Sequence, residues 1–280
     1  MADDPGLLFR EDGPFFLVAG PCALEDDALN LQVARRLREI GDRHGVPIVF
    51  KASYDKANRT SADSPRGPGL REGLRLLGRV REETGLPVLT DVHETDQVAA
   101  AADAVDVLQV PAFLCRQTDL LLEAGSSGRP VNVKKGQWMA PEQIAHSVEK
   151  VRGAGESRVA VTERGTAFGY GRWVVDMRSF ALMRESASCP ALFDATHSVQ
   201  LPGGAGGESG GEPRFVPPLA RAAVAAGADG LYVEVHPSPG DAPSDGANML
   251  PLDQLEPLVG RVLAVRRAAR GDLEGERTVP

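Results

Sequence analysis

Short apolar runs recur along the whole chain, each bounded by Gly, Pro or charge. They are FFLVAG (15–20), PIVFKA (47–52), PVLTDV (87–92), DVLQVP (106–111), VNVKKG (131–136), RVAVTE (158–163), ALFDAT (191–196) and GLYVEV (230–235). Runs this rich in Val, Ile, Leu and Phe, without strict alternation, suit strands buried on both faces of a parallel sheet. Between them lie longer segments with apolar residues at helical spacing, over 25–45, 69–85, 140–155 and 218–230, with a last one over 251–269. Several end in Gly, which readily takes the left-handed conformation that closes a helix. Strand and helix units recur eight times, at about 35 residues each. That recurrence predicts the α/β class and a single (β/α)8 TIM barrel over 1–280, with an N-terminal extension at 1–14. An open doubly wound sheet is the rival, but no GxGxxG follows the first run, which weakens a dinucleotide-binding version.

Two connections are too rich in Gly, Pro and Ser to be plain turns. LPGGAGGESGGEPR (201–214) follows the seventh run and HPSPGDAPSDGAN (236–248) follows the eighth. Neither separates two self-sufficient halves. Both lie where barrel enzymes carry active-site loops, and they are expected to be such loops rather than linkers.

Composition narrows the class. Lys and Arg number 31 against 39 Asp and Glu, a net charge of −8, which argues against nucleic-acid binding but not against a local pocket for a small anion. Hydrophobic residues at 42% and charged residues at 25% exclude a disordered chain. Cys22, Cys115 and Cys189 are too few and too far apart for a disulfide scaffold and fit a reducing compartment. The start, MADDPGLLFREDGP, is acidic and lacks the basic and apolar regions of a signal peptide. No run approaches the length of a membrane span. The expectation is a soluble cytoplasmic protein.

Chemistry collects at the ends of the apolar runs. In order they carry Cys22, Lys51, Asp91 with His93, Gln109, Lys134 with Lys135, Glu163 with Arg164, Asp194 with His197, and Glu234 with His236. Charge is costly inside a packed barrel, so polar groups at all eight ends point to one shared site at the C-terminal rim. Cys22, His197, Glu234 and Asp245 lie on or after runs one, seven and eight, which become neighbours when a barrel closes. A thiolate, an imidazole and two carboxylates suit a divalent transition metal such as Zn, Fe or Mn. Taken one at a time, Cys22 is equally a small buried hydrophobe and His197 a hydrogen-bonded or acid–base histidine. Cys115, Cys189, His44 and His146 read as structural.

A second constellation is cationic. Lys51, Lys56 and Arg59 stand in KASYDKANRTS (51–61) with Asn58, Thr60 and Ser61, while Lys134, Lys135 and Arg164 follow the fifth and sixth runs. An acidic chain that places these cations at strand ends is expected to bind a multiply charged anion there. Solvated charge, or salt bridges to Asp55, Asp91 and Glu163, is the alternative; it is reasonable for Lys135 and weak for Lys51.

These residues also carry a family resemblance. AGPCALE (19–25), FKASYDKANRTS (50–61), TDVHE (90–94), DVLQVPAFLCRQTDLL (106–121), NVKKGQ (132–137), TERGTAFGYGRWVVDMRS (162–179), DATHSVQLPGG (194–204) and VEVHPSPGDAPSDGANMLPL (233–252) resemble the 3-deoxy-D-manno-octulosonate 8-phosphate synthases. The resemblance implies a (β/α)8 barrel, usually a homotetramer, that condenses phosphoenolpyruvate with D-arabinose 5-phosphate and water. The product is an eight-carbon phosphorylated sugar acid for lipopolysaccharide. The family has metal-dependent members with Cys on the first-strand loop and metal-independent members with Asn there, so Cys22 implies the metal-dependent class. Carried over residue by residue, it implies metal ligands Cys22, His197, Glu234 and Asp245. Lys56, Lys134 and Arg164 become phosphoenolpyruvate ligands, with Gln109, Ala112 and Gln137 lining that pocket. Asn58, Arg59 and Thr60 take arabinose 5-phosphate, Thr60 keeping the hydroxyl of the family's more usual Ser. Arg116 reaches a phosphate from a neighbouring subunit. Lys51, Asp91, His197 and Asp245 form the catalytic set, with His93 beside Asp91. The related 3-deoxy-D-arabino-heptulosonate 7-phosphate synthases, which use erythrose 4-phosphate, typically read Lys-Pro-Arg-Thr and Lys-Arg-Gly where this chain has Lys56-Ala57-Asn58-Arg59-Thr60 and Lys134-Lys135-Gly136. Both differences favour the octulosonate enzyme.

Overall fold

A computed structural model describes residues 4–59, 61, 63–205 and 208–276. Eight strands occupy the eight apolar runs: β1 (Phe16–Gly20), β2 (Ile48–Lys51), β3 (Val88–Asp91), β4 (Val107–Val110), β5 (Val131–Lys134), β6 (Val159–Glu163), β7 (Ala191–Asp194) and β8 (Gly230–His236). Each pairs in parallel with the next, and β8 returns to pair with β1 from Phe16↔Gly230 to Gly20↔Glu234, closing the barrel. The helices that follow the strands are α1 (Asp27–His44), α2 (Leu70–Thr84), α3 (Thr95–Ala104), α4 (Thr118–Ser126), α5 (Ala145–Gly153), α6 (Ser179–Ala187), α7 (Val216–Ala225) and α8 (Leu252–Glu276).

Two local rules shape α1. Asp26 accepts a hydrogen bond from Leu29 N at 2.8 Å and caps its N-terminus. Gly45 closes the helix at φ 62°, where a Cβ would be strained. The helix buries Leu31, Val33, Ala34, Leu37 and Ile40, a stripe at helical spacing. That stripe joins Leu17 and Ala19 of β1 in the shell between strands and helices. The alternate residues of β1, Phe16 and Val18, point into the barrel with Val49, Leu89, Val107, Ala160, Leu192 and Tyr232.

The N-terminal segment forms the lower wall of that interior. Asp4 caps a turn of helix at Pro5–Leu8, and Leu8 and Phe9 are buried in the inner cluster. The rings of Phe9 and Phe16 lie 5.4 Å apart. Residues before β1 therefore belong to the core rather than hanging beside it.

Two antiparallel hairpins stand above the other end of the barrel. One, Thr166–Gly169 with Arg172–Val174, follows β6; the other, Gln200–Ala205 with Glu208–Gly211, occupies the Gly-rich segment after β7. The hydrophobic pattern predicts neither hairpin, and in the second it is blank because glycine carries no side chain. Among the described residues no helix is long and apolar enough to cross a membrane.

Candidate active site

The closure of β8 on β1 decides the geometry. Gly20 lies level with Glu234, so Cys22, two residues past β1, reaches the carboxylate that β8 turns inward. The ligand atoms of Cys22, His197, Glu234 and Asp245 all lie within 4.8 Å of one another. His197 Nε2 is 3.5 Å from Glu234 Oε2 and 4.0 Å from Asp245 Oδ2. Glu234 Oε2 is buried and has no hydrogen-bond partner, whereas Oε1 accepts from Lys51 Nζ at 3.0 Å. A buried carboxylate oxygen left open toward an imidazole and a thiol fits a divalent cation. This cluster is the one the sequence singled out.

Each ligand has a local reason for its position. Asp194 Oδ1 accepts from the backbone N–H of Thr196 and His197, folding the chain into the turn His197–Val199. Its Oδ2 lies 2.7 Å from His197 Nδ1, which fixes the ring and aims Nε2 at the quartet. Asp245 holds φ 55°, a left-handed conformation that Asp tolerates better than most residues. Gln200 Nε2 donates to its Oδ1 at 2.8 Å, and Cys22 Sγ and Ser244 Oγ donate to its Oδ2, each at 3.1 Å. Burial, followed by the neighbouring Glu234 charge, pushes the Cys22 thiol far above its usual range. The thiol therefore keeps its proton until a cation displaces it.

Beside the quartet lies a cavity of about 630 Å³ at the C-terminal mouth. It is lined by Lys51, Lys56, Asn58, Arg59, Asp91, Gln109, Ala112, Lys134, Gln137, Arg164, His197 and Asp245, so most of the residues predicted to bind or act on substrate share one space. Burial draws Lys134 and Arg164 below their ordinary values, with Asp194 opposing in both cases. The Arg164 guanidinium lies 5.2 Å from the Trp173 ring, and its Nη1 is buried without a partner. Lys134 donates to Asp194 at 2.6 Å and sits 3.6 Å from the centre of the Tyr232 ring. Lys51 and Lys134 are paired with Glu234 and Asp194, whereas Arg164 keeps its buried Nη1 for an anion in the cavity.

Asp91 anchors a buried polar ladder across the barrel. Thr162 Oγ1 donates to Asn132 Oδ1 and Asn132 Nδ2 to Gln109 Oε1, both at 2.8 Å. Gln109 and Ser53 then both donate to Asp91, and Lys56 Nζ donates to Ser53 Oγ at 3.0 Å. Burial opposes ionisation of Asp91, yet Lys51 and Lys56 hold its carboxyl well below the usual range.

Several expectations fall elsewhere. Lys135 is fully buried, bonded to the carbonyls of Gly136 and Met139 and 3.5 Å from Glu163, so its charge is structural. Arg116 is exposed and lines a separate surface cleft with Gln143, His146, Ser147, Glu149 and Lys150. Thr60 lies outside the described residues. His93 is half-buried at the cavity, edge-on to Tyr54. Cys115 and Cys189 are buried, as read. The sequence pattern does not single out Gln200, Ser244 or Tyr232. Tyr232 was accessible, since it is two residues from Glu234 on β8 and so shares its inward face.

A closed barrel whose C-terminal mouth joins a metal-competent quartet to a cationic cavity defines an enzyme built for anionic substrates. Comparison with known proteins narrows that class: residues 6–263 match the DAHP synthetase I family, and the chain belongs to it. A protein of Syntrophotalea carbinolica named 2-dehydro-3-deoxyphosphooctonate aldolase is 56% identical over 268 residues, 96% of each chain. Proteins of the same name from Acidithiobacillus ferrooxidans and Desulfotalea psychrophila are 56% identical over 246 residues and 52% identical over 262. These alignments cover 88% and 94% of this chain and 87% and 93% of the relatives.

Proposed function

We propose that this chain condenses phosphoenolpyruvate with D-arabinose 5-phosphate and water, giving 3-deoxy-D-manno-octulosonate 8-phosphate and inorganic phosphate. The observation that carries this reading is the shared mouth, where the metal-competent quartet adjoins a cavity lined by Lys51, Lys56, Arg59, Lys134 and Arg164. The kinship with proteins named 2-dehydro-3-deoxyphosphooctonate aldolase supports the choice of acceptor.

The enol C3 of phosphoenolpyruvate bonds to the aldehyde carbon of the pentose phosphate, whose oxygen takes up a proton. Water adds its oxygen at C2 and gives up a proton. Breaking the C2–O bond then releases phosphate and leaves the keto acid. Two anions must be held together, so Lys56, Lys134 and Arg164 neutralise and orient phosphoenolpyruvate against Gln109, Ala112 and Gln137. Asn58, Arg59 and Thr60 hold the acceptor's phosphate. Lys51 and Asp91 set the charge around the reacting carbons, and His197 and Asp245 stand where protons move. When bound, a Zn, Fe or Mn ion held by Cys22, His197, Glu234 and Asp245 supplies Lewis acidity toward an oxygen of the acceptor or of water. The same reading makes the enzyme a cytoplasmic homotetramer. Arg116 joins a neighbour's site, residues 1–280 act as one barrel domain, and 201–214 and 236–248 serve as active-site loops.

Phosphate release with saturating phosphoenolpyruvate tests the assignment. A higher kcat/KM for arabinose 5-phosphate than for erythrose 4-phosphate is expected; the reverse order overturns it.

A further inference from the structure

Arg164 and Asp245 belong to different constellations, yet one side chain joins them. Arg164 Nη2 donates to Gln200 Oε1 at 2.7 Å, and Gln200 Nε2 donates to Asp245 Oδ1 at 2.8 Å. A primary amide carries its acceptor and its donor in one plane, at the two ends of the group. Satisfying Arg164 at the oxygen therefore dictates that the NH2 faces Asp245. Gln200 is placed to serve both groups, because it opens the hairpin that follows the turn carrying His197. Arg164 retains a buried and unpartnered Nη1, so it can meet an anion in the cavity without releasing Gln200.

Asp245 needs this support. It is the one member of the quartet on a long loop, and its backbone is held at φ 55°. The other three stand on β8, in the short turn after β7, or two residues past β1.

We infer that Gln200 is a positioning residue that aims the Asp245 carboxylate at the metal, and that Arg164 orients Gln200 for this task. Arg164 thereby acts on the metal site through an amide as well as on substrate through its charge. The inference rests on the metal-site reading above and adds to it a direction of effect that simple charge does not give. By Coulomb's law alone, removing a cation from beside a metal site tightens binding of another cation. Through the amide, removing Arg164 frees Gln200 to turn, and metal binding loosens.

The test is chelator competition on the Co2+-loaded full-length chain, read by the thiolate-to-metal absorption of Cys22. The band in the unmodified protein tests the quartet itself, independently of the relay. Gln200→Leu is expected to weaken Co2+ binding by about tenfold, as loss of a group that orients a ligand typically does. Arg164→Ala is expected to weaken it several-fold, and the double variant to be no weaker than Gln200→Leu alone. Gln200→Met, closer in shape, should behave like the leucine variant; thermal unfolding of the metal-free forms checks that each is folded. Unchanged Co2+ affinity in both Gln200 variants overturns the inference, as does tighter binding in Arg164→Ala. A double variant weakened by the product of the single effects also overturns it, because the two residues would then act independently.

Discussion

Lys51 Nζ donates to Glu234 Oε1 at 3.0 Å, and this bond divides the carboxylate between two tasks. One oxygen neutralises the lysine; the other remains open toward His197. Both side chains are almost completely buried. Burial works against the Lys51 ammonium, yet Glu234 and then Asp91 hold its pKa above the ordinary lysine value. Glu234 moves in the opposite direction: burial opposes its ionisation, but His197 and then Lys51 hold its carboxyl well below the usual range.

Removing Lys51 leaves a buried carboxylate without its partner. Lys51→Met is expected to cost the metal-free protein about 3–5 kcal/mol. The loss should shrink on metal loading, because a cation then neutralises Glu234. Denaturant unfolding with and without chelator measures both, and an undiminished metal-free stability would contradict the pairing.

Arg164→Ala should impair catalysis with little loss of stability, since the guanidinium lines the cavity and, among the described residues, bonds to the amide of Gln200 rather than to a carboxylate. Loss of a charged hydrogen bond to substrate corresponds to about 1.5–3 kcal/mol, roughly 10- to 150-fold in kcat/KM for phosphoenolpyruvate. Unchanged kinetics would return Arg164 to a structural role.

Arg116 lies away from the main cavity, while Arg59 lines it and bonds to Pro243 O and Ser244 Oγ. If a neighbour supplies Arg116, Arg116→Ala and Arg59→Ala subunits should each be weak alone. Mixed oligomers should regain partial activity, because some sites then combine two intact halves. Sedimentation verifies mixing, and no recovery in mixed oligomers contradicts a shared site.

Much of this was legible before any coordinates. PIVFKA at 47–52 contains β2 because a run buried on both faces is apolar throughout, and its polar end, Lys51, falls at the mouth. The quartet was legible because barrel closure brings runs one, seven and eight together. Other features depend on contacts that no periodicity encodes. Leu8 and Phe9 enter the inner cluster through tertiary packing of an acidic-looking terminus. Lys135 and Lys134 look alike in sequence, but neighbouring positions at the end of β5 send one toward Glu163 and the other toward Asp194. Gln200 stood inside a recognised motif, yet its role required knowing that the Asp245 loop folds back over it.

Cys22 should be the ligand most sensitive to substitution. Cys22→Ser is expected to weaken metal binding and cripple turnover. Cys22→Asn is the sharper variant, since an amide there accompanies metal independence in related enzymes. It should leave weak activity that chelator does not remove. Activity in the Asn variant that is lost on chelation would show that the amide still recruits a cation.

The most direct test is turnover of the unmodified enzyme after its metal is stripped and the loss verified by elemental analysis. Phosphate release from phosphoenolpyruvate and arabinose 5-phosphate should then be abolished, and Mn, Fe, Co or Zn should restore it to differing degrees. Turnover at the full rate by the verified metal-free protein would contradict the account, leaving Cys22 as a small buried hydrophobe beside the pocket.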